Sequence, residues 1–264
     1  MNNIKHKNLK TFFGGFSLIE LALVLTIIAM ITGALISLAG NKITDSEIES
    51  TRKKIDVIEM LLQNYVNNYG YLPCPANITE TSANANFGVG VGSGTGDCST
   101  SGASLSGTNV YYGLFPFASF DEELDSSITY DSWGNRILYA VDQRYTKADN
   151  DSTTTNTTIN FGQTNALSGD SDLILKNTIG SGSFIVEGPD LGSPTESKKL
   201  AYVLVSYGPN GFHGRLAKAP NTQNPASSDA DEGENGNNDA IFVQKLNNLD
   251  FDDIVRYKTR WQLE

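Results

Sequence analysis

Residues 18–38 form an apolar run of 21 residues in which Glu20 is the only charge. About 20 such residues in a helix cross a bilayer, so the length of the run predicts a membrane helix. Residues 1–15 ahead of it carry Lys5, Lys7 and Lys10 and no acid. That bias predicts a cytoplasmic N-terminus with the remainder of the chain exported. A secretory signal peptide is the plainer alternative, but its apolar region is about 7–15 residues long and ends at a small-residue cleavage site. Here the run is longer and passes into an amphipathic segment. Glu20 is costly in apolar surroundings, and such residues usually mark function. Because it sits near the end of the run, snorkelling toward the interface is the competing explanation.

From Asp45 onward Ile48, Ile55, Ile58, Leu62, Tyr65 and Tyr69 recur at helical spacing. Glu47, Glu49, Arg52, Lys53, Lys54, Asp56 and Glu59 supply the opposite, solvated face. Gly70 and Pro73 are stop signals, which predicts a helix end near Tyr69. Continuous from residue 16 to 69, such a helix would be roughly 80 Å long at 1.5 Å per residue, with Gly33 and Gly40 as the places for it to bend.

Beyond Pro73 short apolar runs alternate with clusters of Gly, Asn, Ser, Thr and Asp, the pattern of antiparallel strands with long loops. Strands are expected near residues 110–115, 136–141, 173–176, 184–187, 201–207, 241–246 and 254–261. Packing the helical stripe on such a sheet gives an α+β fold: a long N-terminal helix, half membrane and half amphipathic, on a mainly antiparallel head. The chain then divides into a basic N-terminal segment (1–15), a transmembrane helix (16–39), the amphipathic second half of that helix (40–70) and an extracytoplasmic head (71–264). The exposed tract at 153–164 reads as a loop.

Thirty acids against 19 bases leave a formal charge of −11, which disfavours the phosphate-neutralising surface of a nucleic-acid binder. Two cysteines and two histidines leave little for a zinc site. Cys74 and Cys98 lie in the segment expected outside the cytoplasm, where disulfides form, and a bond between them is the preferred reading. The glycines at 88, 90, 92, 94 and 96 between them lack the strand, helix and downstream acid of a dinucleotide fingerprint. A flexible loop stapled at its base is the better reading.

Gly14-Gly15-Phe16-Ser17-Leu18-Ile19-Glu20, after a short basic leader and before an apolar helix, resembles the prepilin cleavage signature of type IV pilins and type II secretion pseudopilins. The resemblance implies cleavage by a prepilin peptidase between Gly15 and Phe16, methylation of the new Phe16 amine, and pairing of Glu20 with the amine of a neighbouring subunit. Other pilin or pseudopilin subunits and an inner-membrane assembly platform would be the partners. It also implies a single-pass protein of the bacterial inner membrane, with its head in the periplasm and its helix in a pilus or pseudopilus. Asp131-Ser132-Trp133-Gly134-Asn135 is similar to the Asp-x-Trp-Gly turn of pseudopilin heads. Gly134 suits a positive φ there and Trp133 reads as a packing residue.

The acidic stretch with Asp229, Asp231, Glu232, Glu234 and Asp239, interleaved with Gly233 and Gly236, offers oxygen ligands for calcium, although most such loops are simply solvated. The Ser206-Tyr207-Gly208-Pro209-Asn210-Gly211 turn resembles the one before the calcium loop of major pseudopilins. Asn210 stands in place of the acid, and the following spacing departs from that pattern. His213 is the only histidine of the head and has no nucleophile motif around it, so no enzymatic activity is expected. Two functional classes remain: a structural filament subunit, or a minor tip pilin or adhesin-like binding module whose long loops meet a partner.

Overall fold

A computed structural model describes residues 17–105, 108–120, 124–147, 173–176, 200–217, 222–237, 239–248, 250–259 and 262–263, with the side chains of residues 33–43 left out. The chain divides into two compact units, Met1–Ser46 and Glu47–Glu264. Helix α1, Leu18–Tyr69, is 52 residues long. In the first unit the described side chains of residues 18–32 are all exposed. No helix among the described residues is long and apolar enough to cross a membrane. This overturns the expected single-pass inner-membrane placement. Much of the length of α1 is amphipathic instead: from Asp45 onward it carries Glu47, Glu49, Arg52, Lys53 and Lys54.

The second unit has α+β architecture. Strands β1 (Ala103–Ser104), β2 (Val110–Leu114), β3 (Leu138–Asp142), β5 (Leu200–Ser206) and β7 (Ile254–Thr259) form an antiparallel sheet in the order β1-β2-β3-β5-β7. Strands β4 (Ile174–Lys176) and β6 (Ile241–Val243) pair in parallel as a separate two-stranded sheet. The expected strands at 110–115, 136–141, 173–176, 201–207, 241–246 and 254–261 are found with shifted or shortened ends. The one at 184–187 and the loop at 153–164 lie outside the described residues.

Both faces of the main sheet are covered, and the side-chain period of two sorts its residues between them. Tyr139 and Val141 of β3 and Tyr202 and Leu204 of β5 share a core with Ile55, Ile58 and Leu62 of α1. Leu138 and Ala140 with Val203 and Val205 face the other way, toward Leu175 of β4 and Phe242 of β6. This double burial is why β3 and β5 read as continuous apolar runs without polar alternation. A register shift between Leu200 and Tyr202 puts a bulge at Ala201, and so Ala201 and Tyr202 join the same core.

The second half of α1 buries the expected stripe, with Ile55, Ile58 and Leu62 wholly inaccessible. Burying each of these contributes about 1.5–3 kcal/mol. The helix ends where Gly70 takes φ +76° and its N–H reaches the Val66 carbonyl (2.7 Å), a left-handed cap that glycine adopts without steric cost. Cys74 and Cys98 form the expected disulfide, with Cα atoms 5.3 Å apart. The glycines it encloses are packing devices in place of slack: a Cβ on Gly90 would lie 2.1 Å from the Cys74 carbonyl oxygen, and one on Gly92 1.8 Å from that of Asp97. The Asp131 turn is a junction. Its carboxylate accepts from the backbone N–H of Trp133 (3.0 Å) and Asn135 (2.8 Å) and from the Ser206 hydroxyl (2.9 Å). Trp133, half-buried against the helix-side core, donates its indole N–H to Glu47 (2.9 Å).

Candidate metal centre

The expected acidic stretch folds into a short helix, α2, Ala230–Glu234, and its carboxylates take separate roles. Asp229 is the N-cap, accepting from the N–H groups of Asp231 and Glu232 (3.0 Å each). Such caps satisfy otherwise orphaned donors. Asp231 pairs with Lys245 at 2.6 Å. Glu234 and Asp239 share the Asn237 side-chain amide (2.7 and 3.0 Å) on an exposed turn, and Asp239 also accepts from Ile241 N–H (2.7 Å). Of the five expected calcium ligands, only Glu232 is directed inward, and it is 1% exposed.

Glu232 meets two acids that the sequence reading left out, Asp252 and Asp253. One carboxylate oxygen from each of the three lies within 4.8 Å of the others. Asp252 and Asp253 stand immediately before β7, so the entry of that strand delivers them to the buried glutamate. The Gly208 turn completes the enclosure. Gly208 has φ +59°, and a Cβ there would lie 2.3 Å from Asp252 Oδ1, so the close approach requires glycine. Asn210 fastens the turn. Its backbone N–H donates to Asp252 Oδ2 (3.0 Å) and its side-chain amide to Glu232 Oε1 (2.7 Å). Asn235 donates to Asp253 Oδ2 (2.8 Å).

Two buried oxygens are left over: Asp252 Oδ1 and Asp253 Oδ1 meet no hydrogen-bond donor among the described residues. Burial raises the pKa of Asp252 to about 6, against the lowering effect of the Asn210 N–H and with the added repulsion of Glu232. Asp253 is pushed well above the usual carboxylate range by burial, with Asn235 opposing and Glu232, Asp252 and Asp229 adding to the rise. Three converging acids with two unsatisfied oxygens can hold either shared protons or a cation. A hard divalent cation suits an all-oxygen donor set of this kind.

The other expected site residues lie elsewhere. Glu20 is exposed in the first turn of α1, while Gly15 and Phe16 fall outside the described residues. His213 is half-buried at φ +60°, and its Nε2 accepts from the Ser227 backbone N–H (3.0 Å). Comparisons of the chain with protein-family models, with characterised proteins and with solved structures find no match.

Proposed function

We propose that this chain is a structural subunit of a pilin-like filament, a type II secretion pseudopilus or a type IV pilus, with an assembly role and no catalytic one. The observation that carries this reading is the first half of α1, where Leu18, Ile19 and Met30 are 87%, 77% and 73% exposed. A run of apolar side chains this exposed calls for a partner surface. Packing with the same helix of other subunits supplies one. Prepilin peptidase would cleave after Gly15, the Phe16 amine would be methylated, and Glu20 would pair with the amine of a neighbouring subunit as the helix is handed to the assembly platform. Pairing offsets the cost of burying either charge in an apolar filament core.

The test is the intact mass of the chain produced with and without a prepilin peptidase, together with recovery of Glu20→Ala in sheared filaments. A product beginning at methylated Phe16, and loss of Glu20→Ala from filaments while its cleavage persists, are expected. Retention of residues 1–15 in the presence of the peptidase would overturn the reading.

In the head, we assign calcium as the cation of Glu232, Asp252 and Asp253. The unsatisfied oxygens of Asp252 and Asp253 support it. Ligand binding to the folded state alone stabilises it in proportion to ln(1 + [L]/Kd), so millimolar calcium should raise the melting temperature of the wild type and leave Asp253→Asn unmoved. Equal shifts in both proteins would remove the assignment.

A further inference from the structure

An asparagine followed by glycine is open to attack by its own backbone, because glycine sets no Cβ beside the attacking nitrogen. The chain contains two such steps, Asn210-Gly211 and Asn235-Gly236. Both asparagines turn their amide onto the carboxylate cluster: Asn210 Nδ2 donates to Glu232 Oε1 (2.7 Å) and Asn235 Nδ2 to Asp253 Oδ2 (2.8 Å). They differ in how they are held.

Asn235 is 2% exposed. Its Nδ2 also donates to the Val243 carbonyl (3.1 Å), and its Oδ1 accepts from the Val243 N–H (2.7 Å). Turning this side chain toward Gly236 would break those bonds in an interior where the groups left behind meet no water. Gly236 is hemmed in as well, since a Cβ there would lie 2.2 Å from His213 Cβ.

Asn210 is exposed. Its Oδ1 accepts from the Phe212 N–H (2.8 Å), a local side-chain turn. That donor draws electron density from Cγ and would stabilise the oxygen of a tetrahedral intermediate formed there. The brake is the Gly211 N–H, which donates to the Tyr207 carbonyl (3.0 Å) and has to be released first.

We infer that Asn210 is a deamidation site of the folded protein, converted to a carboxylate beside Glu232 and Asp252 while Asn235 stays an amide. The Gly211 nitrogen loses its proton to solvent and bonds to Asn210 Cγ. The Cγ–Nδ2 bond breaks, and that nitrogen takes up a proton and leaves as ammonia. Water then opens the five-membered imide: cleavage at Cγ yields aspartate, and cleavage at the backbone carbonyl yields isoaspartate. The net change is amide plus water to carboxylate plus ammonium, so water is the sole co-reactant.

Aspartate at this position removes the donor that Glu232 Oε1 accepts and sets a further carboxylate against the cluster, where Asp252 Oδ1 and Asp253 Oδ1 already meet no donor among the described residues. Like charges so placed repel. The head should lose stability without calcium and regain it with calcium. That consequence rests on the calcium reading, whereas the conversion itself does not.

The test ages the full chain in calcium-free, mildly alkaline buffer, folded and in urea, and follows peptide masses for the gain of an NH2-to-OH exchange. In the folded protein the gain at Asn210 should be at least about tenfold faster than at Asn235, whose buried hydrogen bonds must open first. In urea the two rates should converge. No gain at Asn210, equal rates in the folded protein, or a difference that persists in urea overturns the inference. In parallel, Asn210→Asp should melt below the wild type in chelator, with added calcium narrowing the gap. Equal melting in chelator overturns the stated effect on the cluster. If calcium moves neither protein, the calcium assignment falls, and the mass data still decide the conversion.

Discussion

The two halves of α1 share one backbone conformation and differ in what their side chains meet. Residues 18–32 are apolar almost throughout and exposed. From Thr51 onward only one stripe is apolar, and Ile55, Ile58 and Leu62 are fully buried. Helical propensity is therefore not what separates them; the destination of the apolar surface is. The second half satisfies its stripe within the chain, and the described apolar side chains of the first half stay exposed.

Truncating matched leucines should expose that difference most strongly. Leu62→Ala should cost the head about 2–5 kcal/mol in urea denaturation, while Leu23→Ala, at an exposed position, should stay within about 0.5 kcal/mol. Equal losses would erase the contrast. Next in size, replacing both Cys74 and Cys98 by serine should destabilise the head by about 3 kcal/mol in the same denaturation assay, through loss of the loop constraint.

A smaller effect comes from the acid cluster. The raised folded-state pKa of Asp252, about 6 against 3.8, means that the folded protein holds its proton more tightly than the unfolded chain. That contribution is fully present below pH ~4 and is lost as pH rises through ~6. Asp253 is shifted in the same direction. Melting without calcium should therefore show a stability decline of order 1 kcal/mol across this window, after allowance for solvent screening. Added calcium should reverse it above pH ~6. The smallest change is Glu47→Gln, which turns a charge-assisted hydrogen bond from Trp133 into a neutral one and should cost about 0.5–1 kcal/mol by the same denaturation assay.

The sequence carried the fold wherever apolar periodicity or a stop signal was strong. The stripe of Ile55, Ile58 and Leu62, the end of α1 at Tyr69 and the Cys74–Cys98 bond were all legible. Strand β1 was not, because Ala103 and Ser104 are both exposed and leave no periodic trace. The acidic stretch supplies one member of the carboxylate cluster, Glu232, while its other acids are engaged elsewhere. Asp229 is consumed by a helix cap and Asp231 by Lys245, while the partners of Glu232 lie about twenty residues further on. Two adjacent acids just before the buried strand β7 were the available signal. Only the folded turn at Gly208 and Asn210 gives that pair its meaning.

Among the described residues strand β7 lies at the edge of the sheet, paired with β5, yet its surroundings reach far back along the chain. Arg256 hydrogen-bonds Asp56, and the nearby Leu263 carbonyl accepts from Gln63, each across 200 residues. Contacts of such long sequence separation form slowly. During synthesis α1 has long emerged before β7 exists, so completion of the head is a C-terminal event. A chain that stops short of Asp252 would present its N-terminal helix while lacking both the last strand of the sheet and the two acids that complete the carboxylate cluster. Residues 252–259 thus decide whether a chain that already shows its N-terminal helix also has a finished head.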